Sequence, residues 1–342
     1  MAHPIESQLS QSWPPDQWAD VTVLVALSGG CDSVALLRAM VAIRAAGVGR
    51  LRAAHLNHRL RPEADADARF VAELCERLDV PCEVGTVDVA ALASRRGEGI
   101  EAAARHARYR FLGETAGRLG SRFVVTGHTA DDQAETILHR IVRGTGIRGL
   151  AGMARTRPLG HATLVRPLLG VAHAALEAYL ESLDQPFLSD PSNRDSRFTR
   201  NRIRMELLPR LKADYNPDVA AALQRLGTLA GEATAVLDGL VDQWSDRCVT
   251  SSSRNAARIE LVALMGKPSY LVRELLMAVW RHHGWPLQAM GMAKWDELAT
   301  LARNATSARR DFPGGVAVEV ADAAMWLRRS DRHATRSSDR VA

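Results

Sequence analysis

The chain has 342 residues, a formal net charge of +5, and 46% apolar against 24% charged residues, the profile of a soluble globular protein of about two domains. No apolar run reaches membrane-spanning length, and the opening "MAHPIESQLSQSW" has no basic stretch followed by an apolar one, so a cytoplasmic location is expected and no membrane partner. Four cysteines without a CxxC pair encode neither a zinc cage nor a disulfide framework, and the only lysines are Lys212, Lys267 and Lys294, which leaves arginine as the sole long cation before position 212.

Residues 1–20, which contain "WPPDQW", are expected to form a flexible lead-in. The apolar run 21–27, "VTVLVAL", reads as a buried strand, and helical spacing follows over 33–46. Between them lies "SGGCDS", residues 28–33. Glycines at a strand-to-helix turn let the backbone approach a ligand, and the N–H groups of the following helix point outward, so the pair can cradle a phosphate. Asp32 at the rim would repel phosphate unless Mg²⁺ lay between them. An ordinary tight turn with a capping Ser or Asp is the plainer alternative.

A second strand, 51–58, ends in "HLNHRLR", which crowds His55, Asn57, His58 and Arg61; a hydrogen-bonding loop is favoured there over a metal site. Helical spacing returns over 63–79, a strand over 82–89, and a helix over 98–117 that sets Glu101, Arg105 and Arg108 on one face. A fourth strand, 122–129, leads into the helix 131–143. Its Asp132, Glu135, His139 and Arg143 share a face, while Ile137, Leu138, Ile141 and Val142 are expected to be buried. Two carboxylates at a helix start can merely compensate its dipole. Placed at a strand end beside a phosphate cradle, they could hold Mg²⁺ and a cationic substrate. The glycines of "GTGIRG" follow this helix rather than a strand, so they read as a loop and not as a dinucleotide fingerprint; "MGKPS" at 265–269 has Leu261 where a Walker motif needs glycine.

From about residue 172 the pattern becomes helical and arginine-rich. The segment 190–212, "DPSNRDSRFTRNRIRMELLPRLK", has seven basic residues against three acids, which suits a nucleic-acid backbone or phosphate, with an exposed charged face as the rival reading. A long helix or helix pair is expected over 216–247. A smaller segment follows over 258–329, helical at first and ending in the strand-like "GVAVEVADAAMWLRR". The alternation implies an α/β fold, a Rossmann-like parallel sheet with helices on both faces, followed by a smaller, mostly helical α+β domain.

In order and spacing, "SGGCDS", "HLNHRLR", "IEAAARHARY", "TGHTADDQAETILHRIVRGTGIRGLAGM", "RPLL" and "DPSNRDSRFTRNRIR" resemble the tRNA(Ile)-lysidine synthetases, within the PP-loop ATP pyrophosphatases. The likeness is strong over 21–212 and weaker over 258–329. It implies a PP-loop catalytic domain at 21–215, a helical connector at 216–250, a tRNA-binding domain at 251–330 and a disordered tail at 331–342. It further implies ATP and Mg²⁺ as cofactors, with tRNA-Ile bearing a CAU anticodon and L-lysine as partners; a homodimer is compatible with it. Carried over position by position, Ser28, Gly29, Gly30, Cys31, Asp32 and Ser33 would bind ATP with His55, Asn57, His58, Gly127 and His128. Asp32 and Asp132 would hold the metal, and Asp32, Arg105, Asp132 and Glu135 would carry catalysis. Arg108, Arg140, Arg143, Arg200, Asn201 and Arg204 would contact the tRNA or substrate. A tRNA thiolation enzyme on the same fold, and a non-catalytic RNA binder, are the rivals.

Overall fold

A computed structural model describes residues 3–189 and 199–330. The tail 331–342 and residues 190–198 of the arginine-rich segment lie outside the described residues. The chain divides into two compact units, Met1–Gly231 and Glu232–Ala342, rather than at the expected 215/216 and 250/251. The cause is α11, Val219–Cys248, which runs unbroken across the division.

The start of the chain is not a loose lead-in. Pro4–Ser12 forms α1, because His3 accepts from the Ile5 N–H while Glu6 reaches back to the His3 N–H. Ile5, Leu9, Trp13 and Trp18 are buried in the main core. Pro14 and Pro15 end the helix without releasing the chain, since the two tryptophans on either side pack together in a tilted pair with ring centroids 5.6 Å apart.

The first unit carries a six-stranded sheet in the order β3-β2-β1-β4-β6-β5. Its strands are β1 Val23–Ala26, β2 Leu51–Asn57, β3 Cys82–Thr86, β4 Phe123–Thr126, β5 Thr156–Leu159 and β6 Ala162–Val165. All neighbours pair in parallel except β5 with β6. Val23, Leu24 and Val25 of β1 are all fully buried, as a central strand covered on both faces must be. Helices follow the strands: α2 Cys31–Ile43, α3 Ala64–Arg77, α4 Val89–Arg96, α5 Ile100–Arg118, α6 Ala130–Val142, α7 Ile147–Leu150 and α8 His173–Ser182. One core combines α1, α2, α3 and α8 with the sheet, and Leu112 and Ala116 of α5 pack with Leu24, Val124 and Leu164 in another. The arginine-rich segment continues as α9 Thr199–Arg202, a wider π-type turn Ile203–Leu207, and α10 Leu208–Asp214.

The second unit is α+β, but strands weigh more in it than the helical spacing suggested. Its five-stranded antiparallel sheet has the order β7-β8-β11-β10-β9, built from β7 Val249–Ser253, β8 Ala256–Glu260, β9 Ala308–Phe312, β10 Val316–Ala321 and β11 Ala324–Arg329, with α12 Ser269–His282 and α13 Met292–Asn304. Val316, Val318 and Val320 alternate inward against Trp280, Trp285 and Trp295. Trp280 meets the other two edge-on at 5.0 and 5.2 Å.

Candidate active site

Four of the sequence motifs come to the carboxyl ends of β1, β2, β4 and β6, the edge where open α/β sheets bind ligands. Ser28–Gly30 leaves β1 and enters α2 with Gly29 at φ +90°, a backbone conformation costly for any residue with a Cβ. A Cβ there would also meet Leu188 Cδ1 at 2.6 Å. Leu188 clamps the turn by donating its N–H to Gly29 O at 2.9 Å and bridging Gly30. Inside the turn, Ser33 Oγ donates to Gly30 O at 3.0 Å and accepts from the Ser28 N–H at 3.2 Å. No side chain caps α2, so the serines shape the turn and leave the helix N-terminus open to an anion. Gly127, at the end of β4, has room only for hydrogen, because a Cβ would lie 2.7 Å from Asp32 O. That close approach brings the start of α6 beside the start of α2.

Asp32 accepts from His173 Nδ1 at 2.6 Å. Sequence reasoning missed His173, the first residue of α8, because nothing local marks it. Asp131 fixes it in place by accepting the His173 N–H at 2.7 Å. Burial lifts the Asp32 carboxyl above its usual range despite His173, with the charge of Asp132 adding to the rise. The hydrogen bond to Asp32 in turn raises the His173 imidazole. Cys31, Asp32 and His173 bring their donor atoms within 4.8 Å of one another. The Cys31 thiol, buried beside Asp32, is pushed up to about 12.

The second half of the site is a four-group ionic network. Asp132 Oδ2 accepts from the Thr129 N–H at 3.0 Å, completing the cap of α6. Its Oδ1 accepts from Arg200 at 2.8 Å and from Arg204 at 3.1 Å. Glu135, only 1% exposed, accepts from Arg200 Nε at 3.0 Å and from Arg204 Nε. Burial opposes ionisation of Asp132, but Arg200, the Thr129 amide, His128 and Arg204 outweigh it and hold the carboxyl below its usual range. The helical face expected of α6 is thus half correct. Ile137 and Leu138 are buried, whereas Ile141 and Val142 are exposed because the helix ends there and leaves the core.

Other residues expected at the site hold the structure around it. His55 Nδ1 meets Leu27 O at 2.9 Å, and Asn57 bridges Asp65 and the Arg59 N–H. His128 Nδ1 meets Thr126 Oγ1 at 2.8 Å; burial chiefly, with the neighbouring cations, pushes its imidazole down to about 3. Arg140 spends one guanidinium nitrogen on the carbonyls of Gly149 and Gly152, at 2.8 and 2.7 Å. With Gln133, which bonds Ala151 O and both polar backbone atoms of Met153, it pins the glycine segment. Arg143 caps the end of α6 and is exposed, and Asn201 lies on α9 between Arg200 and Arg202. Arg105 is exposed on α5, and Arg105 and Arg108 stack 5.1 and 5.2 Å from the Tyr109 ring. Cys75 and Cys82, scattered in sequence, come together as free thiols where α3 meets β3.

The PP-loop domain family model matches residues 1–211, the span that carries the glycine turn and the network. The chain belongs to the PP-loop family. Among curated PP-loop relatives, it is 44% identical over 229 residues to a tRNA(Ile)-lysidine synthase of Deinococcus radiodurans, covering 66% of this chain and 37% of the relative. To one of Bacillus cereus it is 34% identical over 301 residues, covering 87% of this chain and 63% of the relative. The chain therefore spans less than two thirds of the length of these relatives. A solved U34-tRNA thiolase from Methanococcus maripaludis superposes with a TM-score of 0.55 at 14% identity, over 66% of this chain and 78% of that one. At that identity the likeness speaks for the PP-loop fold alone. Among the described residues, no helix is long and apolar enough to cross a membrane.

Proposed function

We propose that the protein is a tRNA(Ile)-lysidine synthetase, a C–N ligase. It uses ATP to adenylate the oxygen on C2 of the wobble cytidine in tRNA-Ile with a CAU anticodon. Pyrophosphate leaves, and an amine of free L-lysine then attacks C2, loses a proton and expels AMP. The observation that carries this reading is the pairing, at one sheet edge, of an uncapped glycine turn with the Asp132–Glu135–Arg200–Arg204 network. The turn suits a leaving pyrophosphate, and the network suits a substrate that is an amino acid and a cation. The 44% identity to a relative of that name supports it.

Asp32 fits a magnesium ion, since it is a partly exposed oxygen donor at the rim of the phosphate turn. Asp132 lies close enough to add to the rise of Asp32 but is kept for the amine. Bound at Asp32, the cation would neutralise charge on the departing pyrophosphate. Ser28, Gly29, Gly30, Cys31 and Ser33 supply the cradle through backbone and hydroxyl groups. Asp132, 13% exposed against 1% for Glu135, is the carboxylate we assign to the lysine amine, which it orients and from which it takes the proton. Glu135 holds Arg200 and Arg204 in place behind it. Arg105 steadies charge on the activated base.

The deciding experiment is incorporation of labelled lysine into an isoleucine tRNA transcript with CAU, given ATP and Mg²⁺. The methionine tRNA with the same anticodon is the control. Selective, ATP-dependent labelling is expected. Pyrophosphate release without lysine transfer would keep the adenylating fold and overturn the choice of nucleophile.

A further inference from the structure

Eight side-chain polar atoms are buried without a hydrogen-bond partner among the described residues, and four of them belong to His58, Arg108, Tyr109 and Arg166. Three of these four residues meet at one place. Tyr109 of α5 lies under Arg157 of β5, whose guanidinium carbon is 4.4 Å from the ring centroid, with Arg105 and Arg108 at 5.1 and 5.2 Å. The Tyr109 hydroxyl sits beside the guanidiniums of Arg157 and Arg166 without closing a hydrogen bond. Arg166 is 2% exposed. It spends one nitrogen on Ala154 O at 2.5 Å, while its Nε has no partner.

Among the described residues, none of these four arginines forms an ion pair, whereas Asp132 and Glu135 are both matched by Arg200 and Arg204. Arg108 and Arg166 each bury an unpartnered Nε, and uncompensated buried guanidinium groups are costly unless an anion completes them. The surroundings respond in the same sense. Against its burial, Arg108 and Arg105 pull the Tyr109 phenol down to about 8, and burial together with Arg108 keeps the His58 imidazole down at about 4.

We propose that Tyr109, Arg108, Arg157 and Arg166 form an anion site for one backbone phosphate of the RNA substrate, separate from the glycine turn that takes the pyrophosphate. The inference rests on the tRNA reading above and adds to it the site that grips the strand. A planar guanidinium fork matches two phosphate oxygens, and the phenol O–H donates to a third. Neither Arg157 nor Tyr109 supplies a hydrogen bond to the network that we assign to lysine, which is closed by Arg200 and Arg204, so the two functions separate by substitution.

The test measures binding of a synthetic CAU anticodon stem-loop RNA to the full chain over a range of salt, with Mg–ATP binding in parallel. For Arg157→Gln we expect RNA affinity to fall about tenfold and the slope of log affinity against log salt to flatten by about 0.7 to 0.9, the value of one neutralised phosphate. Arg157→Lys, which keeps the charge, restores the slope. Tyr109→Phe weakens RNA binding with the slope unchanged. Weaker ATP binding with RNA binding intact would overturn the proposal by giving the site to the nucleotide. An unchanged slope in Arg157→Gln, or one that Arg157→Lys fails to restore, would overturn it by making the arginine structural. If the unaltered protein does not bind the RNA at all, the tRNA reading itself falls, an outcome distinct from failure of this site alone.

Discussion

Asp32, Asp132 and Glu135 were legible in the sequence as acids at strand ends, but their unequal roles were not. Role depends on depth: the residue pattern gives a face, not how far below the surface each carboxylate sits. Asp32→Ala is expected to abolish AMP formation, by on the order of 10²–10³-fold, while RNA binding in a filter assay persists. Asp132→Asn should lower turnover and raise the lysine KM together. Glu135→Ala takes the buried partner from Arg200 and Arg204, which are partly exposed and stay bonded to Asp132, and should cost roughly 1 to 3 kcal/mol in urea unfolding. His58 and His128 stay neutral in the fold because their imidazoles are pushed down to about 4 and 3. The unfolded chain binds a proton on each near pH 6.5, so below that pH the unfolded state holds more protons and stability falls with acid. Each contributes up to ~1.4 kcal/mol per pH unit between its two values. Replacing both with Gln should flatten the decline between pH 6.5 and 5. His173, raised by Asp32, acts oppositely: its contribution is present below pH 6.5 and is lost as pH rises above it.

The alternation of apolar runs with helical spacing located β1, β2, β3 and β4 to within a few residues; β1, β2 and β4 are central parallel strands covered on both faces, which leaves little ambiguity, whereas β3 is a half-exposed edge strand marked by its length and flanks. What escaped the sequence were contacts between distant elements. Leu188 clamps the glycine turn from more than 150 positions away, and Asp131 of α6 caps α8. Such contacts have no local signal. Gly29→Ala should therefore fail twice, through its positive φ and through Leu188, and Mg–ATP affinity should drop by at least tenfold while α-helical content stays unchanged. Asp131→Ala removes the cap of α8 and should cost about 1 kcal/mol, with Asp32 losing its fixed histidine partner. The mistaken lead-in has the same origin. Pro14 and Pro15 carry no local sign of packing, yet Trp13 and Trp18 on either side bring the chain back onto the core.

For the whole molecule, length suggests about two units and composition a modest positive charge, and the long α11 hides where one unit ends. The net charge of +5 predicts that affinity for tRNA falls steeply with added salt, whereas lysine binding, held by a buried network, falls much less. Titration from low to moderate salt with both ligands checks this. The glycine turn carries one more consequence. A thiol held at about 12 has almost no thiolate at neutral pH, and thiolate is the form that peroxide and alkylating agents attack. The turn thus keeps a cysteine at its centre without becoming a point of oxidative failure, and iodoacetamide should leave Cys31 unlabelled in the folded protein.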